Sequence, residues 1–214
     1  MNLNQKRASY TTDHPYTTLN RLTAHTQNIW MVFHGMGYLS RYFLRYFETL
    51  PPAENYFIAP QAPSKYYLND TFRHVGASWL TKEDTQIEIS NILSYIDTVY
   101  RMENIPKEKN LIVMGYSQGV SIAMRWVASR KIPCHHLVLH SGGIPKELDP
   151  EDVSFLLEQG TRISVWVGNK DAYITKERLE SEQERVQHLF KGAAKLTIFE
   201  GEHKVNIDLI KSLV

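Results

Sequence analysis

The chain has 214 residues, a length that suits one folded domain with room for a full hydrophobic core. Lys and Arg total 24 against 23 Asp and Glu, so no cationic excess exists to drive binding to nucleic-acid phosphates. A lone cysteine, Cys134, excludes an intramolecular disulfide and a cysteine-based zinc site.

The opening residues Met1-Asn2-Leu3-Asn4-Gln5-Lys6 lack the apolar segment of a secretory signal, and a cytoplasmic location is the expectation. Residues 8–12 and 16–22 are rich in Tyr and Thr and flank Asp13-His14-Pro15, a pattern that predicts an antiparallel hairpin. Residues 28–33 form an apolar strand. Its run Ile29-Trp30-Met31-Val32-Phe33 is far too short to span a bilayer. His34-Gly35-Met36-Gly37 comes next as a turn. Residues 40–50 read as a helix stopped by Pro51-Pro52. Tyr56-Phe57-Ile58-Ala59 is the next strand. Residues 60–80 hold two prolines and several aromatics without a period, and read as a long loop.

Thr81-Lys82-Glu83-Asp84 supplies an N-cap and an acidic first turn. Ile89, Ile92, Leu93, Ile96 and Val99 then recur at helical spacing. Residues 111–114 form a short buried strand, 115–119 a turn and 120–129 a helix. Further strands fall at 137–139, 163–167 and 196–199. A polar helix covers 175–190, and a short helix covers 205–214. Asp149 and Asp152, beside Pro150, suit the first turn of another helix. Short apolar strands alternating with helices predict an α/β architecture over residues 1–214. The central sheet is mostly parallel, with helices on both faces and the hairpin at one edge. In such sheets, ligands sit beyond the carboxyl ends of the strands.

Gly115-Tyr116-Ser117-Gln118-Gly119 fits G-x-S-x-G, and it lies between an apolar strand and a helix, the setting a nucleophile elbow requires. A serine hydroxyl is a weak nucleophile until a base accepts its proton. Of nine histidines, His203 lies after the last strand on a loop able to return to the strand ends. His188 falls in a charged helix; His14, His25 and His74 lie in turns or loops. His135, His136 and His140 surround a strand without a third metal ligand and suit structural roles. Asp171, in Gly168-Asn169-Lys170-Asp171, places a carboxylate beyond the strand at 163–167, where it would orient the imidazole. An oxyanion needs two backbone N–H donors. Gln118, after the nucleophile, offers one and Met36, between glycines, the other. His34 reads as a brace for that turn. An aromatic wall beside the site would come from Tyr66, Tyr67, Leu68 and Trp79, with Tyr38, Ile144 and Tyr173 from other strand ends.

Together these motifs resemble the phospholipase/carboxylesterase family of α/β-hydrolases, which includes acyl-protein thioesterases. The matching pieces are His34-Gly35-Met36-Gly37, Ala59-Pro60-Gln61-Ala62-Pro63, Gly76-Ala77-Ser78-Trp79, Gly115-Tyr116-Ser117-Gln118-Gly119, Gly168-Asn169-Lys170-Asp171 and Gly201-Glu202-His203. The chain departs from the usual family pattern at Asn169, where Asp is common, and at Glu202, where Gly is common. The resemblance implies a serine hydrolase with Ser117, Asp171 and His203 as its triad, and Met36 and Gln118 at the oxyanion. It implies no metal and no organic cofactor, and a small-molecule ester, thioester or lysophospholipid as substrate. The alternatives are a non-catalytic ligand-binding protein of this fold, or another hydrolase built on it: a peptidase, a dienelactone hydrolase or a depolymerase. A complete triad argues against the first. Cys134, outside any elbow, argues against a dienelactone hydrolase.

Overall fold

A computed structural model describes residues 3–214. Seven strands form the main sheet: β1 (Tyr16–Leu19), β2 (Asn28–Phe33), β3 (Asn55–Pro60), β6 (Asn110–Tyr116), β7 (His136–His140), β8 (Arg162–Gly168) and β9 (Ala194–Phe199). They lie in the order β1-β3-β2-β6-β7-β8-β9. All neighbours are parallel except β1, which runs antiparallel to β3. Helices α1 (Ser40–Phe43), α2 (Thr85–Glu103), α3 (Gln118–Arg130), α4 (Pro150–Glu158) and α5 (Lys176–Phe190) lie between them in sequence, and α6 (Ile207–Lys211) follows β9. The α/β fold with a mostly parallel sheet is therefore the one expected.

Period-two alternation divides the buried strands between two cores. Ile29, Met31 and Phe33 of β2 join Leu111 and Val113 of β6 against residues from α2, α3, α4 and α5. Trp30 and Val32 join Ile112, Met114 and Tyr116 on the other face, packed against Phe43, Phe47 and Ile210. Both faces are covered, so the central strands read as unbroken apolar runs. Among the described residues, no helix is long and apolar enough to cross a membrane.

The N-terminal hairpin is not formed. Residues 8–12 make no strand, and β1 takes its partner from β3, with Tyr16 opposite Pro60 and Leu19 opposite Phe57. Residues 3–13 are exposed throughout, so a strand there would lay its side chains on water and bury nothing. The loop expected at 60–80 instead contains a separate antiparallel pair, β4 (Ser64–Tyr67) and β5 (Val75–Ser78). Every residue of β4 is exposed, so no buried face imposes an apolar alternation. The helix expected at 40–50 runs only as α1 and continues as a 3₁₀ turn over Leu44–Phe47. Asp149 and Asp152 stand at the N-cap and N3 positions of α4, with Asp149 N–H donating to Asp152 Oδ2 at 2.9 Å and Pro150 at the start.

Candidate active site

Ser117 stands at the break between β6 and α3. Its backbone has φ 53° and ψ −120°, a conformation that costs a non-glycine residue about 1–3 kcal/mol. Neighbours hold it there. The Ser117 N–H donates to the His140 carbonyl at 2.8 Å, and its own carbonyl accepts from Val120 N–H at 3.0 Å. The flanking glycines make the turn possible. A Cβ on Gly119 would lie 2.1 Å from the Phe33 carbonyl oxygen, and one on Gly115 2.5 Å from the Gly119 oxygen.

The loop after β9 brings His203 back over the strand ends. Its Nε2 lies 2.9 Å from Ser117 Oγ, and its Nδ1 lies 2.6 Å from Asp171 Oδ2. The Asp171 side chain is fully shielded from solvent, and its Oδ1 accepts from Tyr173 N–H at 2.9 Å. The loops after β8 and β9 are laced together: Asn169 N–H donates to Phe199 O and Lys170 N–H to Gly201 O. From below, the Tyr116 hydroxyl donates to the His203 carbonyl at 2.9 Å. The three side chains singled out in sequence therefore form one hydrogen-bonded row. In that row the carboxylate fixes a proton on Nδ1, leaving Nε2 free to accept the serine proton.

The turn after β2 passes beside Ser117, since a Cβ on Gly35 would lie 3.1 Å from Ser117 Cβ. Gly37, at φ +87°, donates its N–H to Ala77 O. Among the described residues, neither Met36 N–H nor Gln118 N–H meets an intramolecular acceptor. His34 braces this turn, as its position predicts. Its Nε2 accepts from Ala62 N–H at 3.1 Å, so Nδ1 carries the proton and donates to Gly35 O at 2.8 Å. Burial pushes its pKa down to about 4, which keeps the ring neutral in this role.

The residues expected to form the aromatic wall separate into three groups. Tyr66, Tyr67 and Leu68 are exposed on or just after β4. The Leu68 side chain would meet a Cβ placed on Gly37 at 3.7 Å, so the β4–β5 pair leans on the turn after β2. Tyr173 is exposed, with its ring centroid 4.9 Å from that of His203. Tyr38 is half-buried, bonded through its hydroxyl to Tyr46 and packed on Tyr116. Trp79 is a correction. It is fully buried and presents no surface to a ligand. Its indole N–H donates to His34 O, and its backbone N–H donates to Gln118 Oε1. Ile144 is also buried, in an apolar cavity under α5 that it lines with Gly142, Val165 and Leu196. Gly142 adjoins the elbow, where an added Cβ would lie 2.1 Å from Ser117 O.

Sequence reasoning missed the side chain of Gln118. It accepts from Trp79 N–H and donates to Leu80 O at 2.8 Å, fastening the residue after Ser117 to the segment beyond β5. The G-x-S-x-G pattern constrains only the glycines and the serine, so it carries no signal for that bond.

Residues 18–213 match the model of the phospholipase/carboxylesterase family. No curated protein sequence matches the chain. Among solved structures, acyl-protein thioesterase 2 of Zea mays is similar at TM-score 0.65 and 15% identity, over 94% of this chain and 96% of that one. A phospholipase/carboxylesterase of Dyadobacter fermentans is similar at 0.62 and 18%, over 96% and 98%. The Bacillus cereus carboxylesterase is similar at 0.63 and 13%, over 94% and 91%. At these identities the structural likeness speaks for the fold, and the family match covers nearly the whole length. The chain belongs to the phospholipase/carboxylesterase family and is a hydrolase of the esterase type.

Proposed function

We propose that the chain is a serine hydrolase that cleaves carboxylic esters through an acyl-enzyme on Ser117. The observation that carries this reading is the row Ser117 Oγ, His203 and Asp171, closed at 2.9 Å and 2.6 Å. His203 Nε2 takes the serine proton as Oγ attacks the acyl carbonyl. Asp171 stabilises the imidazolium that forms. The oxyanion is received by the open N–H groups of Met36 and Gln118, each worth about 3–4 kcal/mol in comparable sites. The protonated His203 then protonates the leaving alcohol or thiol. Water, deprotonated by the same imidazole, releases the acid.

The exposed rim of Tyr66, Tyr67, Leu68 and Tyr173, with half-buried Tyr38 behind it, suits an acyl group of small or medium size, with thioesters and lysophospholipids in the same class. The site needs no metal or organic cofactor for these steps. A single buried thiol, Cys134, fits a reducing, cytoplasmic setting.

A fluorophosphonate probe tests the nucleophile. Wild type is labelled and Ser117→Ala is not; equal labelling of both overturns the assignment. A panel of nitrophenyl esters of graded acyl length tests the rim. A response that peaks at one length supports an acyl site there, and a flat response argues against it.

A further inference from the structure

His140, the last residue of β7, is fully buried at the carboxyl end of the sheet, beneath the His203 loop. Three bonds converge on it. Its backbone carbonyl accepts from Ser117 N–H at 2.8 Å, inside the elbow. Its Nε2 lies 2.9 Å from the backbone N of Asn206, three residues beyond His203. Its Nδ1 lies 2.9 Å from Ser141 Oγ. A backbone N–H can only donate, so Nε2 must be the bare nitrogen. Nδ1 then carries the proton and gives it to the serine hydroxyl.

Asn206 also caps α6, its side-chain oxygen accepting from Leu209 N–H at 3.0 Å. The loop that bears His203 is thus fixed at its far end by His140 and at its middle by the Tyr116 hydroxyl. Rings of Tyr116, Trp166 and Phe199 stand edge-on to the imidazole at 5.2, 5.6 and 5.5 Å, which fixes its plane.

We propose that His140 is a positioning residue that ties the Ser117 elbow to the His203 loop, so that hydroxyl and imidazole stay in register. This rests on the hydrolase reading above. The tie works only with a neutral ring. Burial, reinforced by the nearby His203, lowers the His140 pKa to about 3, so the acceptor persists across the working pH range. The other titratable group packed on it, Tyr116, has its pKa raised by burial and is neutral as well.

Two polar substitutions separate the positions of the ring nitrogens. In His140→Gln the longer amide reaches the place of Nε2 and can accept from Asn206 N–H. In His140→Asn the shorter amide reaches only the place of Nδ1, so the Asn206 N–H is left unpaired. The measurements are thermal stability, steady-state ester hydrolysis, and the low-field proton resonance of the short His203–Asp171 hydrogen bond. The expected result is a fall of about 100-fold in kcat for His140→Asn, the scale of a misplacement near 1 Å, with little change in KM. Its low-field resonance shifts or broadens. His140→Gln keeps kcat and the resonance close to wild type. Equal losses in both variants, or a folded His140→Asn with kcat and resonance unmoved, overturn the proposal. The resonance also separates this idea from the hydrolase reading. If wild type hydrolyses no ester, a line disturbed in His140→Asn and kept in His140→Gln still establishes the tie.

Discussion

Replacing Asp171 by Asn keeps the shape of the side chain and removes its charge, and the local hydrogen bonds decide the outcome. Asp171 Oδ1 accepts from Tyr173 N–H, and Oδ2 faces His203 Nδ1 at 2.6 Å. An asparagine must turn its oxygen toward Tyr173, because two N–H groups cannot meet. Its NH2 then points at His203 Nδ1 and donates to it. The imidazole proton is forced onto Nε2, the nitrogen that faces Ser117 Oγ at 2.9 Å. The ring becomes a donor to the serine and cannot take its proton. The same exchange in a serine-protease triad costs about 10⁴-fold in kcat. At 1.36 kcal/mol per decade, that is about 5.4 kcal/mol of transition-state stabilisation. The assay is nitrophenyl ester turnover with Ser117→Ala as the blank, beside thermal melts to show that Asp171→Asn stays folded. A loss smaller than about tenfold would falsify the reasoning, because a ring protonated on Nε2 has no lone pair to offer the serine.

Gly119→Ala is expected to lower both stability and rate. The new methyl would sit 2.1 Å from the Phe33 carbonyl oxygen, so α3 must back away from β2 and carry Gln118 N–H with it. Overpacking against backbone costs about 1–3 kcal/mol or more, and urea denaturation read beside kcat checks it; wild-type values in both would refute it. Stability is also expected to fall with acid. His34 and His140 are held near 4 and 3 by burial, below the ordinary 6.5. Below pH 6.5 the unfolded chain binds protons that the folded chain refuses, so stability drops from about pH 6.5 down to about 4 for His34 and on to about 3 for His140. His34 alone accounts for about 3 kcal/mol of that change at 1.36 kcal/mol per pKa unit. Melting temperatures recorded from pH 7.5 to pH 4 test this, and a flat profile counts against neutral buried rings.

The architecture is legible wherever burial imposes a period. Leu111 to Met114 and Ile163 to Val167 are apolar but for Ser164 because both faces of the sheet are covered, and they read as buried strands. Ser117, Asp171 and His203 are legible as neighbours because each lies after its own strand, which confines them to one rim before any coordinates exist. Where burial is absent, pattern is absent too. Lys65, Tyr66 and Tyr67 pair with β5 through backbone bonds while all of β4 is exposed, so nothing in side-chain order announces the strand. The reverse holds at residues 8–12, where β-favouring types have nothing to pack against. Trp79 reads as a wall because loop aromatics often line clefts, yet its two N–H groups both find partners in the interior. His140 reads as structural, and the bonds that give it a larger part join residues 66 apart, beyond the reach of any local motif.

The left-handed backbone at Ser117 has a practical consequence. An isolated segment of sequence would abandon that dihedral at once, because only the surrounding strands and carbonyls enforce it. Turnover therefore gauges the integrity of tertiary packing. A swollen, acid-induced form that kept its helices and strands would look native in far-ultraviolet dichroism and still be catalytically silent. Specific activity, rather than helical content, is the sounder criterion for judging whether a preparation of this protein has refolded.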